Sequence, residues 1–130
     1  MSNVIKRSTE HFHPSADTKM VCSCCGEGQM SVGILILLET IRTHFGKPVT
    51  IHSGPRCRAY NTKAGGAKNS EHLIRVDEDN DVADISVQDV TTKELHLYLK
   101  SLPYANLLGI GYYPQQGFCH IDLRGYAARW

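Results

Sequence analysis

No stretch of this chain is apolar for long enough to cross a bilayer. The longest run, Ile34-Leu35-Ile36-Leu37-Leu38, has five residues, against the roughly 20 that a membrane helix needs. The opening segment Met1-Ser2-Asn3-Val4-Ile5-Lys6-Arg7 lacks the apolar centre of a secretory signal. Synthesis in the cytoplasm without a signal peptide is therefore expected, with no insertion into a membrane. Neither sign of charge is in excess: 14 Lys and Arg stand against 13 Asp and Glu, a formal net charge of +1. No field of that size recruits nucleic acid or an anionic surface, so nucleic-acid binding is not expected. The cysteines number five: Cys22, Cys24, Cys25, Cys57 and Cys119. An odd set with no signal argues against an obligatory disulfide framework. One bridge from the Cys22 to Cys25 cluster to Cys57 stays open. Repeats and low-complexity segments are absent.

What is there suits one domain. A chain of 130 residues with 42% hydrophobic residues buries roughly two-thirds of its unfolded surface. Residues 1–20 are polar and irregular and are expected to form an arm over a domain of residues 21–130. Leu35, Leu38 and Ile41 fall at helical spacing, so Ser31 to Phe45 is read as a helix stopped by Gly46 and Pro48. Pro48 to Ser53 reads as a strand, Arg56 to Ala64 as a short helix, and Thr91 to Leu102 as a second long helix. Leu73–Asp77 and Val82–Val87 read as a hairpin, as do Gly109–Tyr113 and Gly117–Leu123. The order α-β-α-β-β-α-β-β implies a small α+β domain with an antiparallel sheet and flanking helices.

The chemistry concentrates in three segments. Asn69-Ser70-Glu71-His72, Val82-Ala83-Asp84-Ile85 and Phe118-Cys119-His120-Ile121-Asp122-Leu123 supply two imidazoles and a carboxylate. A catalytic zinc takes three such protein ligands and keeps one position open. Alternate residues of a strand share a face, so Phe118, His120 and Asp122 point one way and Cys119, Ile121 and Leu123 face the core. His11, His13, His44, His52 and His96 are read as ordinary surface or structural histidines. A competing metal reading takes Cys22-Ser23-Cys24-Cys25 as half of a closed zinc site, with Cys57 as its supplement. The plainer alternative is a reduced cysteine loop packed on the domain.

Ser70-Glu71-His72-Leu73, Val82-Ala83-Asp84-Ile85 and Gly117-Phe118-Cys119-His120-Ile121-Asp122-Leu123-Arg124 together resemble the zinc D-Ala-D-Ala peptidase family, whose members share the Hedgehog/DD-peptidase fold. The likeness extends to Thr50-Ile51-His52-Ser53-Gly54-Pro55-Arg56-Cys57, to Asn61, and to Gly65-Gly66-Ala67-Lys68-Asn69-Ser70. The Cys22 to Gly26 loop resembles phage and prophage members. The resemblance implies His72 and His120 as zinc ligands. The family's spacing from S-x-H to its aspartate would select Asp79. The Ala-Asp-Ile context selects Asp84, with residues 75–81 holding a five-residue insertion; Asp84 is preferred, with Asp77 third. The glycine usual between those two ligands is missing, and Gly117 stands where several branches carry an acidic base. Asp122 is then the candidate base, its other role being a partner to Arg124 or Arg56. Arg56 is implied as the contact to a substrate carboxylate or oxyanion, and Ser70 as a lining residue of the cleft.

The implied function is zinc-dependent hydrolysis of an amide in peptidoglycan stem peptides, as a D,D-carboxypeptidase or endopeptidase. Such a chain would act on the cell wall if released, for instance by a holin-type partner of a phage lytic system. Two other readings stay open: an inactive zinc protein of the same fold that binds cell-wall peptide, and an interaction module built on the cysteine loop.

Overall fold

A computed structural model describes residues 6–66, 70–74 and 79–130. Its centre is a five-stranded sheet in the order β1-β2-β4-β3-β5. The strands are β1 (Val49–Ser53), β2 (Val82–Val87), β3 (Gly109–Tyr113), β4 (Phe118–Asp122) and β5 (Ala128–Arg129). All neighbours are antiparallel except β3 and β5, which run parallel. Among the described residues three α-helices complete the α+β architecture: α1 (Val32–Phe45), α2 (Arg58–Lys63) and α3 (Thr92–Ser101).

The helices end where the local chemistry says they should. Ser31 caps α1 through its hydroxyl, which accepts from the Ile34 amide at 3.1 Å. Gly46 closes it with φ +64°, a left-handed conformation that favours glycine. The Cys57 thiol caps α2, and a Thr91–Glu94 capping box starts α3.

Alternation along the strands divides the sheet into two faces. Ala83, Ile85 and Val87 of β2 and Cys119 and Ile121 of β4 join the core with Ile34, Leu35, Leu38 and Ile41 of α1 and Leu95 and Leu99 of α3. Each Val, Leu or Ile side chain among them contributes about 1.5–3 kcal/mol on burial. The opposite face carries Asp84, His120 and Asp122. Phe12 and Met20, from the first twenty residues, are also buried in this core. No helix among the described residues is long and apolar enough to cross a membrane.

Two elements differ from the sequence reading. At Asp84 and Ile85, β2 is paired on both edges, by β1 and β4. A Leu73–Asp77 hairpin partner has no free edge there. Leu73 instead forms an isolated parallel bridge with Arg56, and residues 75–77 lie outside the described ones. The other difference is β5, too short for a period-2 pattern to reveal.

Candidate metal centre

Register builds the site. Asp84 and His120 are direct partners across β2 and β4, so their side chains leave the sheet side by side. His72 arrives from a loop that two backbone hydrogen bonds and one buried side chain tie down. The Arg56 amide donates to the His72 carbonyl at 2.6 Å, and the Ile74 amide donates to the Arg56 carbonyl at 2.9 Å. The buried Asn80 donates its side-chain amide to the carbonyls of His72 and Leu73, at 3.2 and 3.1 Å. A β-bulge between Ile51 and Ser53 sets Ser53 opposite Asp84 and turns the chain toward Arg56.

Ligand atoms of His72, Asp84 and His120 all lie within 4.8 Å of one another, and all three residues are buried. The far side of each imidazole is engaged. His72 Nδ1 lies 2.7 Å from the Gly54 carbonyl, an acceptor only, so Nδ1 carries the proton and Nε2 keeps its lone pair. His120 Nε2 lies 2.7 Å from Asp122 Oδ2 and donates to it, leaving Nδ1 to face Asp84 Oδ1 at 2.9 Å. His72 Nε2 is 3.2 Å from Asp84 Oδ2. Two nitrogen lone pairs thus converge on a carboxylate. Such a set is satisfied by added protons or by a cation, and the donors suit zinc.

The electrostatics agree. Burial alone would raise the Asp84 pKa, but the adjacent His120 and His72 rings outweigh it and hold the carboxyl at about 2. Burial works against charge on His120, yet Asp122 and Asp84 raise its pKa. Asp122 is pushed well below the usual carboxylate range, because Arg124 and His120 override its burial.

Asp122 is only 1% exposed. The Arg124 guanidinium donates to it twice, Nε to Oδ1 at 2.8 Å and Nη2 to Oδ2 at 2.7 Å. This placement favours the second of its two expected roles, a partner to Arg124, over that of a free base. Gly109 makes room for it: a Cβ there would stand 2.5 Å from Asp122 Oδ1 and from Arg124 Nε. Gly117 has φ +81° in the β3–β4 turn. That backbone demand accounts for glycine at the position where an acid was sought.

Above the triad opens a cleft of about 440 Å³, lined by Arg56, Ser70, Glu71, Tyr113, Phe118 and Trp130 among others. Arg56 Nε donates to Ser53 Oγ at 2.9 Å, and Nη2 lies 3.8 Å from Asp84 Oδ2. The Ser70 hydroxyl accepts from the His72 amide at 3.1 Å, so it lines the cleft and fixes the ligand loop. Asp79 pairs with Arg7 at the surface, away from the triad; Asp77 lies outside the described residues. Trp130 was not anticipated: its ring lies 4.9 Å from that of His120, and Arg124 sits over it at 5.0 Å. Gly111, where a Cβ would stand 2.7 Å from Trp130 Nε1, was the available signal.

No curated protein and no solved structure matches the chain. The sequence profile of peptidase M15, a family whose members are generally zinc-dependent, matches residues 10–122. That span holds His72, Asp84, His120 and the strands that carry them, and the chain belongs to the peptidase M15 family.

Proposed function

We propose that this chain is a zinc peptidase that hydrolyses an amide bond in peptidoglycan stem peptides, as a D,D-carboxypeptidase or endopeptidase. The observation that carries the zinc is the pair of lone-pair nitrogens, His72 Nε2 and His120 Nδ1, aimed at the Asp84 carboxylate. His72, Asp84 and His120 would hold the ion. When bound, zinc supplies Lewis acidity, lowering the pKa of water toward ~7 and polarising a carbonyl. The stem-peptide substrate rests on the sequence resemblance.

The remaining roles follow from position. Arg56 presents a charged fork of donors to the cleft and would bind a substrate carboxylate or the developing oxyanion. Ser70 lines the entrance beside it. Asp122 would be a positioning residue, fixing the tautomer and ring orientation of His120. Besides Asp84, Glu71 is the carboxylate among the described cleft-lining residues. It would take a proton from the attacking water and pass it to the leaving amine. Tyr113, Phe118 and Trp130 wall the cleft and would exclude bulk water from the reacting bond. Release to the wall through a holin-type partner suits a phage-type lytic role.

The test is digestion of purified peptidoglycan with the zinc-loaded protein, followed by mass analysis of the muropeptides. New amino termini or released D-Ala, abolished by His72→Ala, are expected. A second reading, binding without cleavage, is favoured by Gly117 at the position where several branches of the family carry an acidic base. Co-sedimentation with the wall and an unchanged muropeptide profile would establish it and sink the hydrolase.

A further inference from the structure

The cysteine loop takes no part in the chemistry above, yet the fold brings its thiols together. Ligand atoms of Cys22, Cys24 and Cys57 lie within 4.8 Å of one another, although Cys57 is far along the chain. Cys24 and Cys57 have their sulfurs 3.8 Å apart. A disulfide needs about 2.05 Å. The edge of a tetrahedron of sulfurs around zinc, at ~2.3 Å from each, is about 3.8 Å. The spacing is that of two ligands sharing an ion.

The surroundings of Cys22 point the same way. It is buried, and its sulfur accepts the Cys57 amide at 3.3 Å. The amides of Cys24 and Cys25 also donate to it. Backbone donors gathered on one sulfur stabilise a thiolate and are a recurring feature of metal-thiolate loops. The turn that gathers them is closed by the Cys22 amide on the Glu27 carbonyl, at 2.8 Å, and the Gly26 amide on the Cys22 carbonyl, at 2.8 Å. Gly26 adopts φ +75° to make it. The Cys25 thiol lies near Cys22 but outside the group of three converging sulfurs.

We propose that Cys22, Cys24 and Cys57 bind one soft divalent cation of the zinc class, separate from the His72–Asp84–His120 site. Binding replaces the thiol protons with metal–sulfur bonds and releases the protons to solvent. None of the three thiols lines the cleft, so the site is structural. It staples the amino-terminal loop to the cap of α2. Cys57 follows Arg56, so the staple also steadies the guanidinium at the cleft.

The test uses the full chain, purified under reducing conditions and loaded with cobalt or zinc. The unsubstituted protein is expected to hold about two ions per chain and, with cobalt, to show an intense near-ultraviolet thiolate charge-transfer band. His72→Ala should lose one ion and keep the band, so failure of the catalytic reading leaves this result intact. Cys57→Ser should lose the other ion and the band. Because Cys57 also caps α2, Cys24→Ser, an exposed loop substitution, is the second variant; it should weaken the band with the circular dichroism unchanged. One ion per chain with no charge-transfer band would overturn the proposal. So would a disulfide among Cys22, Cys24 and Cys57 in the loaded protein, read by mass mapping.

Discussion

Two donor clusters meet at the Arg56–Cys57 step and are held in different ways. His72, Asp84 and His120 are buried, and two of them are register partners on adjacent strands. The second ring nitrogens are engaged by the Gly54 carbonyl and by Asp122, which Arg124 holds in turn. Cys22, Cys24 and Cys57 come from a surface loop and a helix cap, and Cys24 is exposed. A strand ladder sets donor geometry before any ion arrives, at the cost of burying charge. A loop defers that cost and needs the ion to fix its shape. The first arrangement suits an open catalytic centre, which must hold its shape while substrate exchanges. The second suits a staple.

Breaking the ladder cluster should therefore cost stability even without metal. His120→Ala takes one partner from each of the buried Asp84 and Asp122 and leaves them His72 and Arg124, and a loss of about 3 kcal/mol is expected in urea unfolding of the zinc-free protein. A loss below about 1 kcal/mol would mean that the carboxylates are not held by the ring. Gly109→Ala tests the same support from behind. Its Cβ collides with Asp122 and Arg124, so about 1–3 kcal/mol of stability should go, with weaker zinc binding by titration. Asp122→Asn keeps the shape and removes the charge. Zinc affinity should fall ~10–100-fold with the fold intact, whereas Glu71→Gln should leave zinc affinity unchanged and lower kcat ~10²-fold or more. Equal loss of affinity in both variants would erase the distinction between positioning residue and proton carrier.

The loop cluster should respond in the opposite sense. Cys24→Ser is expected to leave the urea midpoint of the metal-free protein where it is, and to remove the stabilisation that metal adds.

The smallest effect lies away from both clusters, where His11 pairs with Glu39 of α1 through its amide, at 2.7 Å, and its ring, at 2.6 Å. Burial would raise the Glu39 pKa, but His11 lowers it overall. A depressed carboxyl stabilises above its unfolded value and loses that contribution as pH falls through the folded value. Stability from this contact should fade only below about pH 4.3. An exposed pair is worth ~0.2–1 kcal/mol, so comparing Glu39→Gln with the parent in urea at pH 3 and pH 6 reads it. An equal difference at both pH values would rule out the ion pair.

Much of the candidate site was legible because its logic is local. Alternation in Phe118 to Leu123 put His120 and Asp122 on one face, and the Ala83-Asp84-Ile85 context singled out Asp84. The partners that tune them leave no local trace. Asn80 reads as a turn residue among acids, yet it is buried and clamps the His72 loop from a distance in sequence. Trp130 reaches His120 only through the parallel pairing of β5 with β3. Gly109 looks like an ordinary strand start until the carboxylate in front of it is seen. The role of Asp122 turned on Arg124, whose guanidinium chelates it from two residues away. Spacing alone could not say which side of the ring that arginine would take.

The most direct measurement is a crystal structure of the zinc-loaded protein with anomalous data at the zinc edge. The expected result is a peak bonded to His72 Nε2, the Asp84 carboxylate and His120 Nδ1, with Asp122 still on His120 Nε2. A peak ligated by Asp79 or through His120 Nε2, or zinc density confined to the thiols, would contradict it.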